Sequence, residues 1–348
     1  MTFRIAASLL LGTLVAGSVA EACSRIVHTS KDGQFVVVGR SMDWFEDIQS
    51  NLWVLPRGMT RTANVKVNPL TWTSRYGSVG TAGFDVGITD GLNEKGLVVN
   101  MLYLAESDYG PRDPARPGVS YSEYTQYLLD SYATVAELVA SEQTKNLQII
   151  SAPLPGSVAK PPTLHFSVSD ASGDSAIIQF LDGKRVIHHG KQYPVMTNSP
   201  PFDQQLAINT YWKDVDGETM LPGTRRAADR YVRAYFYAGG LPDPTTQRQA
   251  VANVLSVVRN VSVPFGMVDP QRPNLSQTIW RTVADSKGLV YFFESTSSPG
   301  MVWVKLGEVD LSEGQPVRKL QLAGNPDLAG DQTANLKPAE MFRFAGEN

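Results

Sequence analysis

One cysteine and four histidines are all the thiol and imidazole ligands that 348 residues provide, and the histidines are scattered as His28, His165 and the pair His188-His189. Neighbours on a strand project to opposite sides, so the pair cannot grip one ion, and no spacing matches a zinc motif. No metal is expected. A lone cysteine also excludes an internal disulfide, so stability must come from a large packed core. Charge of one sign is missing too: the formal net charge is -3, with 31 basic and 34 acidic residues. That balance gives neither nucleic acid nor an anionic membrane surface a reason to bind. Phosphate loops and dinucleotide fingerprints are absent, the glycines of GLNEKG at 91–96 included, so no nucleotide cofactor is expected. Low-complexity linkers are absent as well. The breaks at Tyr109–Pro117, Pro153–Pro162 and Leu241–Thr245 are short, which favours one extended domain over 23–348.

What is present begins with the position of that cysteine. Arg4 opens a stretch, Ile5 to Gly17, of apolar and small residues that is too short to span a bilayer comfortably. Ala20 and Ala22 then occupy the small-residue positions of an export-leader cleavage site, immediately before Cys23. Removal of residues 1–22 makes Cys23 the first residue, with a thiol and a free amine on one carbon. An α-amine of pKa about 8 can take the proton of a thiol of pKa about 8.5. The same amine can return a proton to a leaving nitrogen. The reaction implied is attack on an amide carbonyl, a thioester, and hydrolysis. A lipoprotein leader with an acylated cysteine is the rival reading, which would make the chain a lipid-anchored or periplasmic binding protein without catalysis. Glu21 and Ala20 both weaken it.

Strands are expected at both ends of the chain and helices between. Gln34–Gly39 and Leu97–Tyr103 have the β-branched content of buried strands; Leu164–Val168 with Ala176–Leu181, and Thr278–Ala284 with Leu289–Glu294, read as hairpins across turn-forming residues. Helices are expected over Ser120–Tyr132, after a capping box at Thr134 and Glu137, over Arg225–Tyr237 with Ala228, Tyr231 and Tyr235 on one face, and over Gln247–Val258. The expected architecture is α+β, two packed sheets with helices outside. Cys23 would then be the first residue of a central strand, fixed by ladder hydrogen bonds.

Five segments in order, CSRIV at 23–27, GRSMDW at 39–44, GLNEKGLVVNMLYL at 91–104, MTNSPPFDQQ at 196–205 and LPGTRRAADRYVRA at 221–234, resemble the choloylglycine hydrolase family. That family holds bile salt hydrolases and penicillin V acylases of the N-terminal nucleophile superfamily. The resemblance implies a four-layer αββα fold with mainly antiparallel sheets, assembly as a homotetramer, and a small-molecule acyl amide as substrate. It places the nucleophile at Cys23, supporting charges at Arg40 and Asp43, an oxyanion asparagine at Asn198, and an active-site arginine at Arg230, with Arg226 as the other register. Tyr103 matches a position that is usually asparagine in bile salt hydrolases and tyrosine in penicillin V acylases, and its backbone amide is the expected second oxyanion donor. Trp44 and Phe45 are expected to extend an aromatic face for the acyl group, while Tyr76 reads as core. Tyr103 and the leader point to the Gram-negative, periplasmic branch, where long-chain acyl homoserine lactones are a second substrate class beside penicillin V. No stable membrane association is expected once the leader is gone.

Overall fold

A computed structural model describes residues 23–153, 155, 161–267 and 276–347. The expected leader, residues 1–22, lies outside the described residues. The elements that build the site are strands β1 (Ser24–Thr29), β2 (Val36–Asp43), β3 (Gly87–Asn93), β4 (Val98–Tyr103), β5 (Leu164–Ser169), β6 (Thr278–Asp285) and β7 (Val290–Ser295). Helices are α1 (Tyr121–Ser131), α2 (Val135–Thr144), α3 (Phe202–Val215), α4 (Ala227–Gly239) and α5 (Gln247–Asn260).

The first sheet runs Val195–Met196, β1, β2, β6, β7, Met301–Lys305 and Gly330–Asp331. The second runs Lys184–His189, Ser175–Leu181, β5, β4, β3, Ser78–Gly83, Asn51–Leu55, Arg318–Leu320 and Lys337–Pro338. All these pairings are antiparallel except the last of the first sheet. Helices α4 and α5 cover the first sheet, with α3 against α4, and α1 and α2 cover the second. The two sheets share a core in which Val38, Ala284 and Tyr291 of the first meet Leu92, Val98 and Leu102 of the second. The result is the four-layer αββα architecture.

Strand β2 opens with an unalternating apolar run, Val36–Gly39, and buries the polar residues that follow as well. Every residue from Val36 to Asp43 is buried, because one face meets the second sheet and the other meets α5. The helix approaches so closely at Gly39 that a side-chain carbon there would lie 2.7 Å from Val258 Cγ2. Both hairpins form as expected, β6 with β7 and β5 with Ser175–Leu181.

Three local expectations need correction, and one helix lies outside the expectations. Cys23 precedes the first laddered residue, since pairing of β1 with β2 begins at Ser24 opposite Ser41. Thr134 does cap α2 by accepting from Glu137 N–H, but the Glu137 carboxylate reaches back to Ala133 N–H; the reciprocal box forms instead at α1, between Ser120 and Glu123. The buried face of α4 is Ala227, Arg230, Tyr231 and Ala234, because the helix turns its one buried arginine inward. Helix α3 was hidden behind Ser199-Pro200-Pro201, which reads as a turn; Pro201 is its N-cap, where a missing N–H costs nothing.

Gly39→Val should therefore overpack the α5 contact and cost about 2–3 kcal/mol. The check is the urea unfolding midpoint, and an unchanged midpoint would show that α5 can back away.

Candidate active site

Cys23 is fixed at the end of β1 by side chains. Its backbone N–H donates to Asn198 Oδ1 at 2.5 Å, and its carbonyl accepts from Arg230 Nη1 at 2.6 Å. Arg230 Nη1 also reaches Ser24 Oγ at 2.6 Å, and Nη2 donates to Asn198 Oδ1 at 2.9 Å. One guanidinium thus ties the residue, its neighbour and the asparagine together, and burial lowers the pKa of that guanidinium, with Asp43 the main opposing influence. The two donors on Asn198 Oδ1 orient its amide, and Nδ2 donates to the Tyr103 carbonyl at 2.7 Å. Each Asn amide nitrogen carries two hydrogens.

The sulfur of Cys23 lies among β2 and its neighbours. Asp43 N–H donates to it at 3.5 Å, Arg40 Nη2 stands 3.9 Å away, and Met42 Sδ also stands at 3.9 Å. Burial pushes the thiol pKa up; Arg40 is the strongest influence in the other direction, and Asp43 adds to the rise. Arg40 is held by the Met101 carbonyl at 2.8 Å and by the Trp280 ring, 4.6 Å from its centroid. Asp43 accepts from Thr278 Oγ1 at 2.5 Å through Oδ1, while Oδ2 is buried with no hydrogen-bond partner among the described residues. Burial raises the Asp43 carboxyl to about 6, against the opposing effect chiefly of Arg230.

The backbone of Tyr103 meets Asn198 through its carbonyl. That contact engages the carbonyl and leaves the expected role of the N–H untouched. Tyr103 pairs with Leu164 of β5, whose N–H and C=O are both engaged by the Tyr109 hydroxyl, and Leu104 N–H bonds Thr163 O next door. In that register the Tyr103 N–H and C=O share the edge of β4 that faces Asn198.

An apolar cavity of about 80 Å³ opens beside the sulfur, walled chiefly by Met42, Trp44, Ile48, Phe84, Tyr103 and Leu164. Trp44 and Tyr103 line it as expected. Phe45 is not among its lining residues; its ring lies 5.5 Å from that of Trp44. Tyr76 is not core either: it is half-buried beneath Arg75, 5.1 Å from its ring. Arg226 is exposed at the α4 N-cap, so the register with Arg230 is the one that reaches Cys23. Sequence reasoning missed Met42, Phe84 and Thr278. Phe84 sits at the tip of the hairpin before β3 with a backbone φ of 50°, a conformation that a bulky residue rarely adopts and that nothing in its local sequence announces.

His188 and His189 do point apart, to Asp203 and Asp174. Buried His165, its pKa lowered to about 3 by burial, is neutral and bonded to Gln179.

A buried cysteine at the head of a two-sheet αββα core, with an amide donor and two arginines converging on it, defines the fold of the N-terminal nucleophile hydrolases. The family described as linear amide C–N hydrolases, choloylglycine hydrolase family, matches residues 23–319, and the chain belongs to it. It is 43% identical to the penicillin V acylase of Pectobacterium atrosepticum over 97% of this chain and 96% of that protein. The structure of penicillin V acylase from Agrobacterium tumefaciens is 48% identical, with a TM-score of 0.86 over 93% of this chain and 100% of that one. A variant of conjugated bile acid hydrolase from Clostridium perfringens, 21% identical with a TM-score of 0.73 over 88% and 98% of the two chains, shares the fold. The chain is an amide hydrolase.

The raised Asp43 carboxyl has a consequence for stability. Its folded value of about 6 lies above the ordinary carboxylate value, so the stability linked to its proton is present below about pH 4 and lost as pH rises through 6. In a form whose Cys23 nitrogen is still in a peptide bond, Asp43→Asn should gain on wild type by about 2–3 kcal/mol between pH 4 and 8. Denaturant unfolding across that range measures it; a difference that stays flat would place the Asp43 carboxyl near its ordinary value.

Proposed function

We propose that residues 1–22 are an export leader, that its removal exposes the amine of Cys23 in the periplasm, and that the mature enzyme hydrolyses apolar acyl amides of the penicillin V type through a Cys23 thioester. The observation that carries this reading is the pairing of a sulfur at the apolar cavity with a nitrogen, on the same residue, anchored to Asn198. The family match also begins at Cys23.

In this reading the substrate acyl group enters the cavity and its carbonyl carbon meets Cys23 Sγ. The amine takes the thiol proton, with the Arg40 charge favouring the thiolate. The buried Asp43 Oδ2, which has no hydrogen-bond partner among the described residues, is the natural acceptor for the new amine. Negative charge growing on the carbonyl oxygen is met by the second N–H of Asn198 Nδ2, with the Tyr103 N–H on the same edge as the other donor. The amine then protonates the leaving nitrogen, and water hydrolyses the thioester. Tyr103 and Trp44 suit a phenoxyacetyl group, since their rings give flat apolar contact with little loss of freedom. A second reading, an acyl homoserine lactone, is favoured by the aliphatic part of the wall, Ile48, Val86 and Leu164, which suits an unbranched chain. The mature enzyme is further read as a homotetramer with no membrane association, following the habit of its family.

Penicillin V should be hydrolysed by the mature protein, and Cys23→Ala should abolish turnover. Asn198→Ala should lower kcat by about 100- to 1000-fold, roughly 3–4 kcal/mol of barrier. Initial rates on penicillin V, glycocholate and a long-chain acyl homoserine lactone rank the substrates. Turnover that survives loss of the thiol would overturn the mechanism.

A further inference from the structure

Arg40 Nη1 faces Asp90 Oδ2 at 3.9 Å across the space between the sheets, and both side chains are 1% exposed. Asp90 lies on β3, in the second sheet, while Arg40 lies on β2, in the first. The Asp90 carboxylate accepts from Asn100 Nδ2 at 2.6 Å, Tyr291 Oη at 2.5 Å and Thr282 Oγ1 at 3.1 Å. These donors come from β4, β7 and β6, so both sheets converge on it. Thr81 Oγ1 lies 2.8 Å from the Tyr291 hydroxyl, and Ser167 Oγ donates to Asn100 Oδ1 at 3.2 Å, which locks the donors themselves. Three donors on one carboxyl are the surroundings of an ionised acceptor. Burial pushes Asp90 up, against Arg40 and these same donors.

The charged groups that face Cys23 come from three elements: Arg40 and Asp43 from β2, Asp90 from β3 behind Arg40, and Arg230 from α4. Arg281 of β6 acts on Asp43 and is itself paired with Glu294 at 2.9 Å. Tyr103 and Tyr291 are the titratable hydroxyls nearby. A buried charge without a partner is costly, and a buried pair broken on one side is worse.

We infer that Asp90 is a positioning residue for the amide hydrolysis, acting through Arg40: from the opposite sheet it supplies the buried counter-charge that sets how much positive potential reaches the Cys23 sulfur. Two cations and two anions then surround the thiol. This rests on the reading of Cys23 as the nucleophile. Asp90→Asn keeps the shape and removes the charge, while the Met101 carbonyl and the Trp280 ring keep the guanidinium near the sulfur. The site is left with one uncompensated positive charge, which favours thiolate.

The test is the pH dependence of iodoacetamide alkylation of Cys23 in the mature protein. In Asp90→Asn the midpoint should fall by half a pH unit or more, with the acid limb of kcat/KM moving the same way. Asp130→Asn removes a comparably buried carboxylate, paired with Arg61 at 3.0 Å and remote from Cys23, and should lose stability without moving the midpoint. A midpoint that stays or rises in Asp90→Asn, or falls equally in Asp130→Asn, overturns the proposal. Should Asp90→Asn not fold, the double variant Asp90→Asn/Arg40→Met, which loses both charges, should withstand more denaturant than Arg40→Met alone; a double variant weaker than that single one overturns it. Absence of turnover in wild type would count against the nucleophile reading and leave the alkylation midpoint readable.

Discussion

The Asn198 side-chain oxygen accepts two hydrogen bonds at once, from the Cys23 N–H and from the Arg230 guanidinium, and the chemistry depends on that junction. It orients the asparagine amide, because an oxygen already engaged by two donors leaves Nδ2 turned towards the Tyr103 edge. It also places the cysteine, which lies one residue before the sheet ladder begins and would otherwise be free to fray. Arg230 completes the junction by gripping the Cys23 carbonyl and the Ser24 hydroxyl. A lysine cannot replace this fork, since it presents a point charge where the planar guanidinium reaches several separate acceptors, Cys23 O, Ser24 Oγ and Asn198 Oδ1 among them.

Holding such a junction requires burial, and burial is the largest influence on Cys23, Asp43 and Arg230. It raises the thiol, raises Asp43 and lowers Arg230. Burial disfavours the charged form of each of these three groups, and each is drawn back by an opposite charge nearby. The same low dielectric strengthens every interaction with charge that develops during attack. The fold supplies this environment by sandwiching β2 between the second sheet and α5, with Gly39 allowing the helix to close. Apolar packing and catalytic electrostatics are therefore two consequences of one arrangement.

Much of this was legible in the amino-acid sequence. Val36–Gly39 and Val98–Tyr103 announce buried strands through β-branched side chains, and the two hairpins announce themselves through polar turns between apolar runs. The cysteine, the two arginines, Asp43 and Asn198 were found through short ordered motifs, and the structure brings them to one place. What was not legible depends on distant partners. Helix α3 begins behind two prolines whose local meaning is a turn. The cavity wall draws Ile48, Phe84, Tyr103 and Leu164 from separate elements, and Phe84 adopts a backbone conformation its neighbours do not predict. Phe45 follows Trp44 in sequence yet does not line the cavity, a one-residue difference that sequence spacing alone does not resolve.

The central claim is that the working nucleophile and its base belong to one terminal residue. Intact-mass and amino-terminal sequencing of a purified preparation that hydrolyses penicillin V tests it most directly. The active chain should start at Cys23 with an unmodified amine. Full activity in a chain that keeps residues upstream of Cys23, or whose terminal amine is acylated, would contradict it.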